Sequence, residues 1–219
     1  MFITFEGIEG SGKTTQIRHL AEFLRTESHD CILTREPGGT EIGKKIRAIL
    51  LDPENKDIDD LTELLLYTAD RVQHIKSLIK PCLSEGKIVL CDRYADATMA
   101  YQGFARGINM ELIRRLHEQM LEIVKPDLTI LLDLLPETGL SRAWRRIRNG
   151  GRTGQESRFE REKLAFHEKV RAGYLELAGR EPERFRVIDA SQDENRVRAE
   201  IIKVVMTGVY TQHRHELRF

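Results

Sequence analysis

The run Gly7-Ile8-Glu9-Gly10-Ser11-Gly12-Lys13-Thr14 constrains this chain more than any other feature. It satisfies GxxxxGK[ST] and follows the apolar run Phe2–Phe5. It opens a stretch in which Ile17, Leu20, Ala21 and Leu24 recur at helical spacing. Strand, glycine turn and helix in that order build a cradle for phosphate. The glycines let backbone N–H groups turn inward, and the helix N-terminus adds positive potential. Lys13 can reach β- and γ-phosphates, and the Thr14 hydroxyl suits Mg²⁺. A bare glycine turn with a solvated lysine would not need that context. The loop therefore implies ATP-like triphosphate and Mg²⁺, held by Gly7, Glu9, Gly10, Ser11, Gly12, Lys13, Thr14 and Thr15. It does not name the acceptor.

Further runs, Cys31–Thr34, Ile88–Cys91, Leu128–Leu132 and Phe185–Ile188, are also apolar without alternation, as strands covered on both faces are. Helical stripes lie between them: Leu61, Leu64, Leu65, Thr68, Val72, Ile75 and Ile79; Leu112, Leu116, Met120 and Ile123; Val197, Ile201, Val204 and Val205. Strands alternating with helices predict an α/β fold with a mostly parallel five-stranded sheet. Ligands then bind beyond the carboxyl ends of the strands. The 219 residues fit one domain, 1–219. Arg142, Arg145, Arg146, Arg148, Arg152 and Arg158, set among Gly150, Gly151 and Gly154, read as a charged lid over about 142–160.

Lys+Arg and Asp+Glu balance at 35 each, which argues against a nucleic-acid or membrane-surface binder. Cys31, Cys82 and Cys91 lack disulfide or zinc spacing and suit a reducing compartment. No apolar run reaches bilayer length, and the start MFITFEG has no signal-peptide pattern, so a cytoplasmic location is expected. The polar tail from Tyr210 to Phe219, with His213 and His215, reads as a solvated end.

Three segments fall at predicted strand ends. Thr34-Arg35-Glu36-Pro37-Gly38-Gly39-Thr40 makes a tight turn that aims Arg35 and Glu36. Asp92-Arg93-Tyr94 puts a carboxylate, suited to Mg²⁺, beside an arginine suited to phosphate. Thr98 through Arg106 offers polar groups for a base or sugar. Tyr67 and Arg71 share a helix face, either as a base-binding pair or as ordinary surface packing.

Together these segments resemble the thymidylate kinases of bacterial type. The resemblance rests on FEGIEGSGKTT (Phe5–Thr15), TREPGGT (Thr34–Thr40), the Tyr67–Arg71 helix, DRY (Asp92–Tyr94), AYQG (Ala100–Gly103), PDLTILLD (Pro126–Asp133) and SRFE (Ser157–Glu160). It implies a P-loop kinase fold, helices on both sheet faces, an Arg-rich lid, a homodimer, and transfer of the γ-phosphoryl group of ATP to dTMP. It further implies that Arg35 and Arg93 hold the monophosphate, that Pro37 lies among the substrate-binding residues, and that Glu9 lies near the sugar 3′-hydroxyl and the transferring phosphate. Tyr67 would stack on thymine and Arg71 bond it, with Thr98 and Gln102 near the base and Tyr101 beneath the deoxyribose. Asp92 joins Thr14 near the metal, Arg142 serves the donor nucleotide, and Asp189-Ala190-Ser191-Gln192 resembles the loop near the adenine. Where some relatives carry an arginine in the phosphate loop, this chain has Gly10. The catalytic arginine then comes from the lid, as Arg148, Arg152 or Arg158, with Arg152 assigned beside Lys13, Arg93, Asp92 and Glu9. The rival readings are a kinase of another nucleotide or of a deoxynucleoside, and a non-enzymatic nucleotide-dependent switch. Two arginines aimed at the acceptor, and the lack of an NKxD motif, weigh against them.

Overall fold

The computed structural model describes residues 1–121, 124–150 and 156–216, with side chains outside 119–121 and 209–216. Five parallel strands, β1 (Phe2–Glu6), β2 (Cys31–Arg35), β3 (Ile88–Asp92), β4 (Leu128–Asp133) and β5 (Phe185–Asp189), lie in the order β2-β3-β1-β4-β5. Each runs one residue beyond its apolar run and ends on a charged residue: Glu6, Arg35, Asp92, Asp133 or Asp189. The last strand position still makes ladder hydrogen bonds while its side chain leaves the core, so hydrophobicity alone under-counts it. β1 is the middle strand, with Phe5 level with Asp92 on one side and Ile130 on the other.

Alternation along the strands assigns helices to the two faces. Ile3 and Phe5 meet Ile17, Leu20, Ala21 and Leu24 of α1 (Lys13–Thr26). After α2 (Glu41–Leu51), α3 (Asp60–His74) passes directly into a π-helical segment, Ile75–Ile79. Ile75 and Ile79 cover Phe2, Val89 and Cys91 on the opposite face. The single long stripe expected from Leu61 to Ile79 is therefore broken in register at His74. Leu64, Thr68, Ile75 and Ile79 are buried, whereas Leu61 and Leu65 stay exposed beside Ile42 and Ile49 of α2.

The short helices α4 (Lys80–Ser84) and α5 (Ala95–Thr98) follow; α5 runs into a second π-helical segment, Met99–Ala105. In α6 (Met110–Leu121) the buried side chains among those described are Ile113 and His117, while Leu112 is exposed. The polar His117 displaces the expected stripe because it faces a buried arginine. α7 (Pro136–Arg148) and α8 (Leu164–Arg180) complete the site side. α9 (Glu194–Glu216) continues as helix through most of the segment read as a solvated tail.

Of the segment about 142–160 expected to form a lid, residues 142–148 end α7, and Ser157, Arg158, Phe159 and Glu160 are buried. Arg152, Gly151 and Gly154 lie outside the described residues. Arg158 is not available as a lid arginine here. Its Nη2 donates to the fully buried Glu63 Oε2 at 2.5 Å and its Nη1 to Leu50 O at 3.0 Å. Gln102 Nε2 donates to the other Glu63 oxygen at 2.7 Å, with Arg106 nearby. Removing one partner of a buried ion pair strands the other charge. Arg158→Met should therefore destabilise the protein by on the order of 3 kcal/mol, softened by Arg106, as read from denaturant unfolding.

Gly10 stands at φ +71°, and a Cβ there would lie 2.0 Å from Gly139 O in α7. A Cβ on Gly139 would in turn meet Glu9 O at 2.4 Å. The phosphate loop thus packs backbone to backbone on α7, so an arginine at position 10 has no room. Gly10→Ala should cost about 2 kcal/mol or more of stability in the same assay.

Candidate functional site

A cleft of about 290 Å³ opens at the carboxyl ends of β2, β3 and β1, from one edge of the sheet to its middle strand. It is lined by Glu9, Gly10, Gly12, Lys13 and Thr14 from the loop and start of α1, and by Arg35, Glu36 and Pro37 after β2. Tyr67 and Arg71 come from α3, Asp92, Arg93 and Tyr94 from the end of β3, and Thr98, Tyr101 and Gln102 from the segment after it. Residues far apart in sequence thus meet around one space. Gly7 and Ser11 shape the loop from behind, and Thr15 continues α1.

Lys13 is buried, and its Nζ donates to Gly7 O, Ile8 O and Ser11 Oγ at 2.9, 2.7 and 3.2 Å. It thus braces the loop from within. Burial, with the Arg93 guanidinium adding to it, pulls the Lys13 ammonium down to about 8. Thr14 Oγ1 donates to Asp92 Oδ2 at 3.0 Å across the sheet top. This pair of hard oxygen donors at the cleft's edge fits Mg²⁺, which takes few protein ligands and keeps waters and phosphates for the rest. Among the described residues, no cluster of three or more His, Cys, Asp or Glu side chains offers a rival metal site.

Arg93 has φ +68°, a left-handed backbone that non-glycine residues rarely adopt. Two bonds from β1 hold it: Arg93 N–H to Phe5 O at 3.0 Å, and Tyr94 N–H to Glu6 Oε1 at 2.7 Å. The turn throws the guanidinium over the sheet end. There Nη2 donates to Glu9 Oε1 at 2.8 Å and Nη1 to the Tyr101 hydroxyl at 2.8 Å. Tyr101 donates to the same Glu9 oxygen at 2.6 Å. Burial works to raise the Glu9 carboxyl, but Arg93, His167 and Lys13 outweigh it and hold it well below the usual carboxylate range. Beneath, burial and then Asp96 push Glu6 up to about 7.

The Tyr67–Arg71 face lies inward, so the surface-packing reading fails. Arg71 is fully buried. Its Nε donates to Glu36 Oε2 at 2.7 Å, and its Nη2 to Tyr94 O at 3.0 Å and Thr98 Oγ1 at 2.9 Å. Nη1 lies 3.1 Å from His117 Nε2. Burial, and then Arg71, push His117 down to about 3, so it is a neutral acceptor. One Nη1 hydrogen of the five on a guanidinium is left facing the cleft. Glu36 also meets His74 Nδ1 at 2.9 Å, and the Glu36–Pro37 peptide is cis.

Arg35 is exposed and has no hydrogen-bond or ion-pair partner among the described residues, so its charge is open to a ligand. The same holds for Arg18 and Arg146, which also line the cleft; Arg18 escaped the sequence reading and Arg146 was one of several lid arginines. Arg142 Nη1 donates to Ala190 O at 3.0 Å, in the loop after β5. Arg47, also missed, forks onto Glu156 at 3.0 and 2.8 Å and bonds Pro37 O. His167 and His117 escaped notice too, because a histidine on an apolar helix face carries no signal until its neighbours are known.

A sequence model of the family described as Thymidylate kinase matches residues 5–201. A thymidylate kinase of Desulfosudis oleivorans is 60% identical over 190 residues, covering 87% of this chain and 89% of that one. One of Geobacter sulfurreducens is 51% identical over 208 residues, covering 95% and 97%. The crystal structure of thymidylate kinase from Ehrlichia chaffeensis superposes with a TM-score of 0.74 at 38% identity, covering 94% of this chain and 98% of that one.

The depressed Lys13 has a kinetic consequence. Above about pH 8 the free protein loses this cation, so capture of a triphosphate weakens as pH rises. kcat/KM for ATP should fall toward ten-fold per pH unit above about pH 8, while kcat holds to higher pH because bound phosphates restore the proton. A flat kcat/KM across that range would show that Lys13 stays charged.

Proposed function

The chain belongs to the thymidylate kinase family, whose members transfer the γ-phosphoryl group of ATP to dTMP to give dTDP and ADP, and from that premise we propose how its own side chains divide the work. The observation that carries the assignment is the meeting of the phosphate loop with Arg35, Arg71 and Arg93 around one cleft.

Lys13 and the loop N–H groups hold the donor phosphates. Thr14 and Asp92 would hold Mg²⁺, which neutralises charge on the phosphates when bound. Arg35 and Arg93 take the acceptor phosphate, with Pro37 shaping the wall beside it. No general base is needed, since a monophosphate oxygen is already anionic near neutral pH. Alignment and charge neutralisation are then the main demands on the protein. Arg146, lining the cleft with no partner among the described residues, joins Arg152 as a candidate for the arginine that meets the transferring group. Arg142 lies toward the donor base.

Tyr67 stacks on thymine, and the free Nη1 hydrogen of Arg71 donates to a thymine carbonyl. Thr98 and Gln102 line the same end, although the Gln102 amide is turned toward Glu63. Tyr101 packs under the deoxyribose and Glu9 accepts its 3′-hydroxyl, the sugar's only free hydroxyl. An uncharged nucleoside would leave Arg35 and Arg93 without an anion, which disfavours a deoxynucleoside acceptor. Ile42, Ile49, Leu61 and Leu65 form an exposed apolar face on α2 and α3, which we assign to pairing of two copies. We place this homodimer in the cytoplasm; among the described residues no helix is long and apolar enough to cross a membrane.

Purified protein with Mg-ATP should form ADP fastest with dTMP among dTMP, dUMP, dCMP, dGMP, AMP and thymidine. Lys13→Ala should lower turnover by about 10³-fold or more without unfolding the protein. Near-normal turnover would remove Lys13 from the reaction. Arg71→Lys should raise the KM for dTMP about ten-fold while leaving that for ATP unchanged, since the fork is lost and the charge kept. An unchanged dTMP KM would take Arg71 out of the base site.

A further inference from the structure

Glu9 Oε1 takes hydrogen bonds from both Tyr101 and Arg93. Its second oxygen, Oε2, is buried and accepts none. The group facing it is His167 of α8, whose Nδ1 lies 3.1 Å away. His167 is fully buried, and neither of its ring nitrogens has a hydrogen-bond partner. The distance is that of a hydrogen bond, but the ring is out of line for a well-formed one. Its ring edge meets Phe166, with centroids 5.5 Å apart, a contact that a phenyl ring would make equally well. Packing alone thus gives no reason for an imidazole there, and a buried polar group without a partner is costly.

We propose that His167 is a positioning residue for Glu9: as the Nδ1–H tautomer it donates to Oε2 and fixes the carboxylate in the cleft while Arg93 turns to the acceptor phosphate. The inference rests on the assignment of Glu9 and Arg93 to the acceptor side. Arg93 is divided between Glu9, Tyr101 and, at 3.4 Å, the Tyr174 hydroxyl. An incoming phosphate competes for those same N–H groups, so the hold on Oε1 weakens as the site fills. Lys13 and Arg93 would then draw the carboxylate toward themselves. A donor on Oε2, mounted on a different helix and untouched by the acceptor, keeps it in place. An ionised carboxylate only accepts, so the nitrogen facing it must carry the hydrogen.

Nitrogen-15 NMR of the whole protein, labelled at histidine, tests this without any change at position 167. The expected result is a His167 with Nδ1 protonated, its signal shifting on dTMP addition and in Glu9→Gln. A bare Nδ1 with the hydrogen on Nε2 would overturn the proposal. In kinetics, His167→Phe should lower kcat/KM for dTMP about ten-fold with the KM for ATP unchanged. His167→Asn, whose amide can donate from near the Nδ1 position, should restore most of it. In a Glu9→Gln background His167→Phe should cost less than about two-fold, because both act through one carboxylate. Equal losses in the two backgrounds would reduce His167 to packing and overturn its role. Full activity of Glu9→Gln alone would instead overturn the assignment of Glu9, while the NMR would still report whether the two side chains bond.

Discussion

The Arg93–Glu9 hydrogen bond at 2.8 Å is the contact on which the site depends. It joins the loop after β1 to the end of β3, and it exists because those strands are neighbours in a parallel sheet. The arginine reaches it only through a left-handed backbone at φ +68°. Such a conformation persists where surrounding bonds over-determine it. Phe5 O and Glu6 Oε1 provide those bonds from β1. Tyr174 fixes Glu6 in turn, its hydroxyl donating to Oε2 at 2.7 Å. The central strand thus shapes both the phosphate loop that follows it and the turn of the strand beside it.

A second buried network does the same for the other end of the cleft. Glu36 takes Arg71 on one oxygen and His74 on the other, and His74 Nε2 reaches Thr34 at 2.6 Å. Gly38 N–H bonds Asp70 Oδ1 at 3.1 Å, which closes the turn after β2 onto α3. Burial, reinforced by Glu36, pushes Asp70 up to about 6. Networks of this kind are stabilising only when nearly every member is satisfied. Here that requirement leaves Arg71 with almost no freedom, so its one open N–H points in a set direction. On the proposed assignment of Arg71 to the base, recognition would be a matter of preorganisation, with little rearrangement needed on binding.

Much of this was legible from residue types. The phosphate loop announced itself because its chemistry demands glycine, lysine and a hydroxyl in fixed order after a strand. Arg35, Asp92 and Arg93 stood out because a charged residue ends each apolar run. Other parts could not be read. Leu112 looked like core and is exposed, while His117, which the apolar stripe left out, is buried, because α6 turns its polar residue toward Arg71. Arg158 looked like a lid cation and proved to be a buried partner of Glu63, a residue nearly a hundred positions away. Periodicity reports which face of a helix is greasy, but a buried ion pair inverts that signal.

By itself the sequence determined that a strand, a glycine turn and a helix would present N–H groups to phosphate, since those preferences act over a few neighbouring residues. It also determined that apolar runs would form a parallel sheet with arginines and carboxylates at one edge, because burial and crossover geometry leave little choice. Only the tertiary structure decided which of those charges face one another. The pairing of Arg93 with Glu9 and of Arg71 with Glu36, and the placing of His167 beside the far oxygen of Glu9, depend on strand order and on the rotation of each helix about its axis. These are set by the packing of the whole core, and no local stretch of chain encodes them.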